Sequence, residues 1–186
     1  ENCAKCTKPD QLSEAGTKAA TCTECNAELY LKTETGGATS CVASDKCTDG
    51  FFPMTDTADS NKKKCLVCSD GTNGIANCAE CTAPGERKTK PACAKCASGF
   101  LHTPEGGETS CPTSCPDGYF GHTSADSGNL QTCQSCSAPK DGLNPAVTGI
   151  PGCTQCTYTA ARASTLKCTA CGSGYKLEGD TCVSTG

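Results

Sequence analysis

The chain has 186 residues, 16 basic and 20 acidic side chains and a formal net charge of −4. A mildly acidic protein offers no attraction to nucleic acid or to an anionic membrane surface. Leu, Ile, Val and Phe together supply only 19 residues, Trp is absent, and Gly plus Pro add 30, too little apolar area for an ordinary core. The 21 cysteines mark a disulfide scaffold in an oxidising compartment, where crosslinks are expected to do what a core does elsewhere.

No run of about 18 apolar residues is present to cross a bilayer, and no signal peptide opens the chain at Glu1. An excised ectodomain or mature fragment is therefore expected. There is no Asn-x-Ser/Thr sequon.

Read in chain order, the cysteines repeat. Cys3, Cys6, Cys22, Cys25, Cys41 and Cys47 occupy positions three to eight of an eight-cysteine order. Cys65, Cys68, Cys78, Cys81, Cys93, Cys96, Cys111 and Cys115 write that order in full. Cys133, Cys136, Cys153, Cys156, Cys168, Cys171 and Cys182 lack the eighth. The expected organisation is an incomplete first repeat, 1–64, a complete one, 65–132, and an incomplete last one, 133–186.

Between the cysteines, residues 7 to 21, 54 to 64, 82 to 92 and 137 to 152 are polar, rich in Pro and Gly and without sustained periodicity, and are expected to be surface loops. Ser13 is a candidate cap for a helical turn reaching Ala20, but only Leu12 lies near it and no apolar face results. Little helix is expected. The Gly-rich segment Asp70 to Gly74 reads as a turn.

Tyr30, Phe51, Phe52, Phe100, Tyr119, Phe120 and Tyr175 each fall four or five residues after a cysteine, and Gly50, Gly99, Gly118 and Gly174 precede most of these sites. A Gly permits a sharp change of direction and an aromatic then favours an extended strand, so each site is expected to start a hairpin arm. With so few rings available, their expected role is to cover disulfides rather than to line a ligand site.

Three readings of the CxxC pairs compete. A redox pair needs a lowered thiol pKa and occurs once in a thioredoxin-like domain, whereas eight copies stand here without a βαβ pattern. As zinc ligands, Cys78/Cys81 with Cys93/Cys96, and Cys153/Cys156 with Cys168/Cys171, approach the spacing of a four-cysteine site. Cys41, Cys47, Cys111, Cys115 and Cys182 break that grouping, and His102 and His122 are expected to be solvated loop residues. Disulfides between separate CxxC elements remove the most chain entropy, about 3 kcal/mol for a loop of about 15 residues, whereas a bond inside one CxxC fastens nothing.

The order CxxC, CxxC, CxxC-x2-Gly-aromatic, Cys, Cys-x2-Gly-aromatic resembles the furin-like cysteine-rich repeat of growth-factor receptors. Dense CxxC in a chain rich in Thr, Ser, Gly and Ala, with Gly36-Gly37 and Gly106-Gly107 shortly before a cysteine, resembles more closely the variant-specific surface proteins of Giardia. The furin-like resemblance implies ten bonds: Cys3 with Cys22, Cys25 with Cys41, Cys47 with Cys65, Cys68 with Cys81, Cys78 with Cys93, Cys96 with Cys111, Cys115 with Cys133, Cys136 with Cys156, Cys153 with Cys168, and Cys171 with Cys182. It leaves Cys6 unpaired. A laminin-like pairing would leave Cys3, Cys6 and Cys171 unmatched.

The implied fold is small and disulfide-rich: an elongated rod of short β-hairpin furin-like/EGF-like repeats, with little helix and no central hydrophobic core. No paired carboxylates, catalytic triad or phosphate-binding loop points to an enzyme, and no cofactor is implied. Such a bridged rod is expected to resist proteolysis, and the resemblance implies a surface antigen on the extracellular face of the plasma membrane, tied to the membrane only through a missing C-terminal anchor and serving antigenic variation and immune evasion. Host antibodies are the expected partners. The expected epitopes lie in Pro84 to Pro91, with Gly85, Glu86, Arg87 and Lys88, and in Pro139 to Pro151, with Lys140, Asp141 and Asn144. A receptor-type protein-binding module and a zinc-binding surface protein are the alternatives.

Overall fold

The computed structural model describes residues 2–8, 20–160 and 165–186; the expected turn at Ser13 lies outside them. Among the described residues the regular elements are short antiparallel hairpins and one 3-10 turn, Ser44–Lys46, giving a small disulfide-rich β fold. The chain divides into two compact units, Glu1–Ala94 and Lys95–Gly186. The repeats counted from the cysteine order do not share that boundary.

In the first unit, β1 (Cys3–Thr7) pairs with β2 (Thr21–Cys25). The β3 (Tyr30–Thr33) and β4 (Thr39–Val42) hairpin joins the β5 (Phe51–Asp56) and β6 (Lys62–Val67) hairpin in a four-stranded sheet of order β4-β3-β6-β5. β3 and β6 meet in parallel, with Leu31 opposite Lys64 and Lys32 opposite Cys65. Pro53 lies on the edge strand β5, where its missing N–H leaves no ladder bond unmade. β7 (Cys78–Thr82) then pairs with β8 (Ala92–Cys96), whose last residues open the second unit.

The second unit repeats the scheme. β9 (Tyr119–Thr123) pairs with β10 (Gln131–Ser135), β11 (Cys153–Thr159) with β12 (Thr165–Cys171), and β13 (Tyr175–Glu178) with β14 (Thr181–Ser184). Phe100 starts a shorter arm, in which Leu101 bridges Thr132 in parallel and His102 bridges Ser110 antiparallel.

Four strands begin at an aromatic residue: Tyr30, Phe51, Tyr119 and Tyr175. The glycines Gly50, Gly99, Gly118 and Gly174 hold φ of 86°, 79°, 84° and 81°, a left-handed conformation that side-chain-bearing residues adopt only with strain. At Gly99 a Cβ would also collide with the Pro112 carbonyl oxygen, which accepts the Phe100 N–H at 2.9 Å.

The interior is mostly sulfur. Of the thirteen buried apolar residues described, ten are cysteines, and the others are Phe52, Ile75 and Phe120. Phe120 packs with Cys136, Cys153 and Cys168, so this ring covers disulfides. Asp70 to Gly74 forms a turn in which the Asp70 carboxylate accepts the Thr72 and Asn73 N–H groups at 3.0 and 2.7 Å.

Two expectations need correction. Residues 54 to 64 are not a loop throughout, since β5 runs to Asp56 and β6 starts at Lys62. The charged run Lys62–Lys64 is held in the strand by ion pairs: Lys64 reaches Asp56 at 3.0 Å and Asp59 at 2.6 Å, and Lys62 reaches Asp59 at 3.1 Å. His122 is not solvated. It lies fully buried on β9, with Nε2 2.8 Å from the Pro145 carbonyl oxygen and its ring 5.9 Å from that of Tyr158. His102 is half-buried, edge-on to Tyr119 at 4.6 Å.

Hydrogen bonding from Lys64 lowers the Asp56 and Asp59 carboxyls below the ordinary value, and for Asp59 the Lys62 ammonium adds to it. A carboxylate depressed in the folded state contributes stability above its unfolded pKa, about 4, and that contribution is lost as pH falls through the folded value. Amide exchange across β5–β6 is therefore expected to accelerate below about pH 4 relative to β11–β12, and Asp56→Asn should remove part of that difference. Equal acid sensitivity of the two hairpins would contradict this reading.

Candidate functional site

The candidate functional feature of this chain is a surface held by crosslinks, and its geometry starts in the CxxC hairpins. In β1–β2, Cys3 stands opposite Cys25 and Cys6 opposite Cys22; in β11–β12, Cys153 stands opposite Cys171 and Cys156 opposite Cys168. The bonds are diagonal: Cys3–Cys22 and Cys153–Cys168, each with Cα atoms 5.8 Å apart, well within disulfide reach. Irregular pairing at Lys5 and at Gln155, in the middle of each CxxC, departs from the strict alternation of a regular strand.

The diagonal bond leaves two cysteines of each hairpin free to fasten its neighbours. Cys25 bonds Cys41 and Cys171 bonds Cys182, tying down the following arm. Cys156 bonds Cys136 upstream. Cys78–Cys93, Cys68–Cys81 and Cys96–Cys111 repeat the arrangement around β7–β8. Cys47–Cys65 and Cys115–Cys133 lock the β5–β6 and β9–β10 hairpins. The structure thus brings together the same ten pairs that the furin-like resemblance implies. Cys6 is an exposed free thiol at the position that Cys156 occupies in β11.

Successive bonds touch. Cys22 Sγ lies 3.6 Å from Cys41 Sγ, and Cys168 Sγ lies 3.3 Å from Cys182 Sγ. Cys22, Cys25 and Cys41, and likewise Cys153, Cys168 and Cys182, hold their sulfurs within 4.8 Å of one another. Each of these sulfurs is already in a disulfide. A thiophilic metal needs thiolates, so these clusters become ligand sets only after reduction.

The residues expected to meet antibodies, Gly85, Glu86, Arg87, Lys88, Lys140, Asp141 and Asn144, are all exposed. The segments that carry them are anchored. The Gly85–Lys88 tip closes with the Lys88 N–H donating to the Gly85 carbonyl at 3.0 Å, and its base is held by Lys90 Nζ on the Gly74 carbonyl at 3.0 Å and by buried Pro91. Around Lys140 to Asn144, the Lys140 N–H donates to Gln134 Oε1 at 3.1 Å and Asn144 Nδ2 donates to Asp126 Oδ1 at 2.8 Å. Buried His122 holds Pro145, and the Ile150 N–H donates to the Cys136 carbonyl at 2.9 Å.

Reading the sequence missed several parts of this surface. Tyr158, the aromatic outside the cysteine-to-aromatic spacing, stacks on Phe120 at 4.8 Å. The turns Glu34 to Ala38 and Ala125 to Asn129 are as exposed as the two segments named from the sequence. Their signals were the Gly36-Gly37 and Ser127-Gly128 pairs. A cleft of about 250 Å³ lies beside the β2–β3 connection, and its two carboxylates are taken up by ion pairs, Glu24 with Lys5 and Glu28 with Lys63, both at 2.8 Å.

No protein-family model matches the chain, and no solved structure matches it. Two curated proteins of Giardia intestinalis align along nearly all of it. The major surface-labeled trophozoite antigen 417 is 32% identical over 204 residues, covering 97% of this chain, and the variant-specific surface protein VSP4A1 is 28% identical over 218 residues, covering 99%. The chain is a homologue of Giardia surface antigens. It spans 27% and 29% of the lengths of these two relatives.

The diagonal scheme is directly measurable. Denatured, unreduced protein should titrate with the single thiol of Cys6, and peptide mapping should recover Cys3–Cys22 and Cys68–Cys81. Recovery of Cys3–Cys25 or Cys65–Cys78 bridges would overturn the assignment.

Proposed function

We propose that the chain is part of a surface antigen displayed on the extracellular face of the plasma membrane, in which a fixed disulfide lattice carries variable turns that host antibodies bind. Antigenic variation then changes the turns without disturbing the lattice. The supporting observation is the separation of roles: the buried residues are mostly cysteines, whereas Glu86, Arg87, Lys88, Lys140, Asp141 and Asn144 are exposed polar residues on tied bases. The likeness to two antigens along nearly the whole chain supports the same reading.

Protease resistance follows from the lattice, because a cut between two bonded cysteines leaves both fragments attached. Exposed turn residues away from special contacts change stability by only about 0.5 kcal/mol when substituted. Anchored turns also suit recognition, since a partner need not order them on binding.

Exchange of residues 85–88 and 140–144 for unrelated polar sequence of equal length should therefore leave the disulfide map unchanged. It should weaken binding of antibodies raised against the folded protein by about tenfold or more. Undiminished binding with an intact map would show that the recognised surface lies elsewhere.

A further inference from the structure

Two hairpin arms of this chain are completed by a strand that arrives later in the sequence. In the first unit Leu31 stands opposite Cys41 within its hairpin, and the outer edge of β3 pairs in parallel with β6, Leu31 facing Lys64, the residue before Cys65. In the second unit Leu101 precedes His102, which faces Ser110, the residue before Cys111. Leu101 donates its N–H to the Gln131 carbonyl and accepts the Cys133 N–H, both at 2.9 Å, so it faces Thr132, the residue before Cys133. The incoming strands β6 and β10 each belong to a hairpin locked by one disulfide, Cys47–Cys65 or Cys115–Cys133.

The third arm has the same register but no such neighbour among the described residues. Leu177 stands opposite Cys182 as Leu31 stands opposite Cys41, and β14 is the strand paired with β13 among the described residues. The Gly174 carbonyl accepts the Thr185 N–H at 2.9 Å. Antiparallel alternation then turns Lys176 and Glu178 toward β14 and aims the Leu177 N–H and C=O at the opposite edge. The side chains agree: Leu31 and Leu101 are half-buried, whereas Leu177 is 46% exposed, with Tyr175 at 38% and Val183 at 37% on the same hairpin.

We infer that the outer edge of β13 is a strand-addition site. Its occupant is the second strand of a further disulfide-locked hairpin of the β5–β6 kind, added in parallel and following this arm in a longer polypeptide. Strand addition satisfies edge N–H and C=O groups through main-chain bonds and covers the side chains beside them. A second copy of residues 1–186 does not supply this occupant: its β6 is already flanked by β3 and β5, and its β10 by β9 and the Leu101 arm. The two relatives are more than three times as long as the chain, which leaves room for further hairpins of this class.

The test extends the 186-residue chain with its own residues 115–135 placed directly after Gly186. The added first cysteine then falls five positions after Cys182, between the four that separate Cys111 from Cys115 and the six that separate Cys41 from Cys47. A second extension carries residues 47–67 instead, in case one hairpin fails to close. Hydrogen exchange is read at Leu177, with Lys176, already bonded to β14, as the internal reference. The expected result is that the added cysteines pair and the Leu177 amide slows by about tenfold or more, toward the behaviour of Leu101. Closed hairpins with unchanged exchange at Leu177 would overturn the proposal, as would failure of the added cysteines to pair in both extensions. Concentration-dependent protection of Leu177 in the unextended chain would also overturn it, by showing the edge to be taken by a second copy.

Discussion

The structure depends on one crosslink, the diagonal disulfide inside each CxxC hairpin, seen in Cys3–Cys22 and Cys153–Cys168. If the directly opposed cysteines bonded instead, both pairs would be used up within the hairpin and nothing would remain to hold its neighbours. Because the bond runs diagonally, Cys25 and Cys171 reach forward to the next arm and Cys156 reaches back. Crosslinks spanning 11 to 20 residues are long enough to remove substantial freedom from the unfolded chain.

Sulfur can stand in for a core because it is compact, apolar when oxidised and covalently placed. Few rings are then required. Phe52 and Phe120 are buried, and Tyr158 fills the space beside Phe120. Interior positions among the described residues are thereby taken mostly by cysteine, with Phe52, Phe120, Ile75, His122 and Gln134 beside them. Positions such as Arg87 or Asp141 carry no structural duty beyond their backbone, which makes a surface of this kind open to change.

Much of the framework was legible in the sequence because its signals are local. A glycine followed by an aromatic marks a strand start where a positive φ is needed, and β5, β9 and β13 begin at such an aromatic, whereas β3 begins at Tyr30 behind Leu29. The CxxC strands were not legible by periodicity, since the irregular pairing at Lys5 and Gln155 breaks the two-residue alternation that marks a strand. Lys62–Lys64 was hidden for another reason: three consecutive ammonium groups suggest a loop until Asp56 and Asp59 are seen across the turn. The burial of His122 rests on a contact with Pro145, 23 residues away, which no local pattern announces. For the exposed segments, Pro and Gly content pointed to Gly85 and Asp141, but the anchoring by Lys90, Gln134 and Asp126 is tertiary.

The central claim is that crosslinks, and not apolar burial, hold this fold. The direct measurement is amide exchange and far-UV circular dichroism on the fully reduced and alkylated chain beside the oxidised one. Loss of protection across β5–β6 and β11–β12, with no cooperative thermal transition, is the predicted result. A reduced chain that kept protected hairpins and unfolded cooperatively would contradict it.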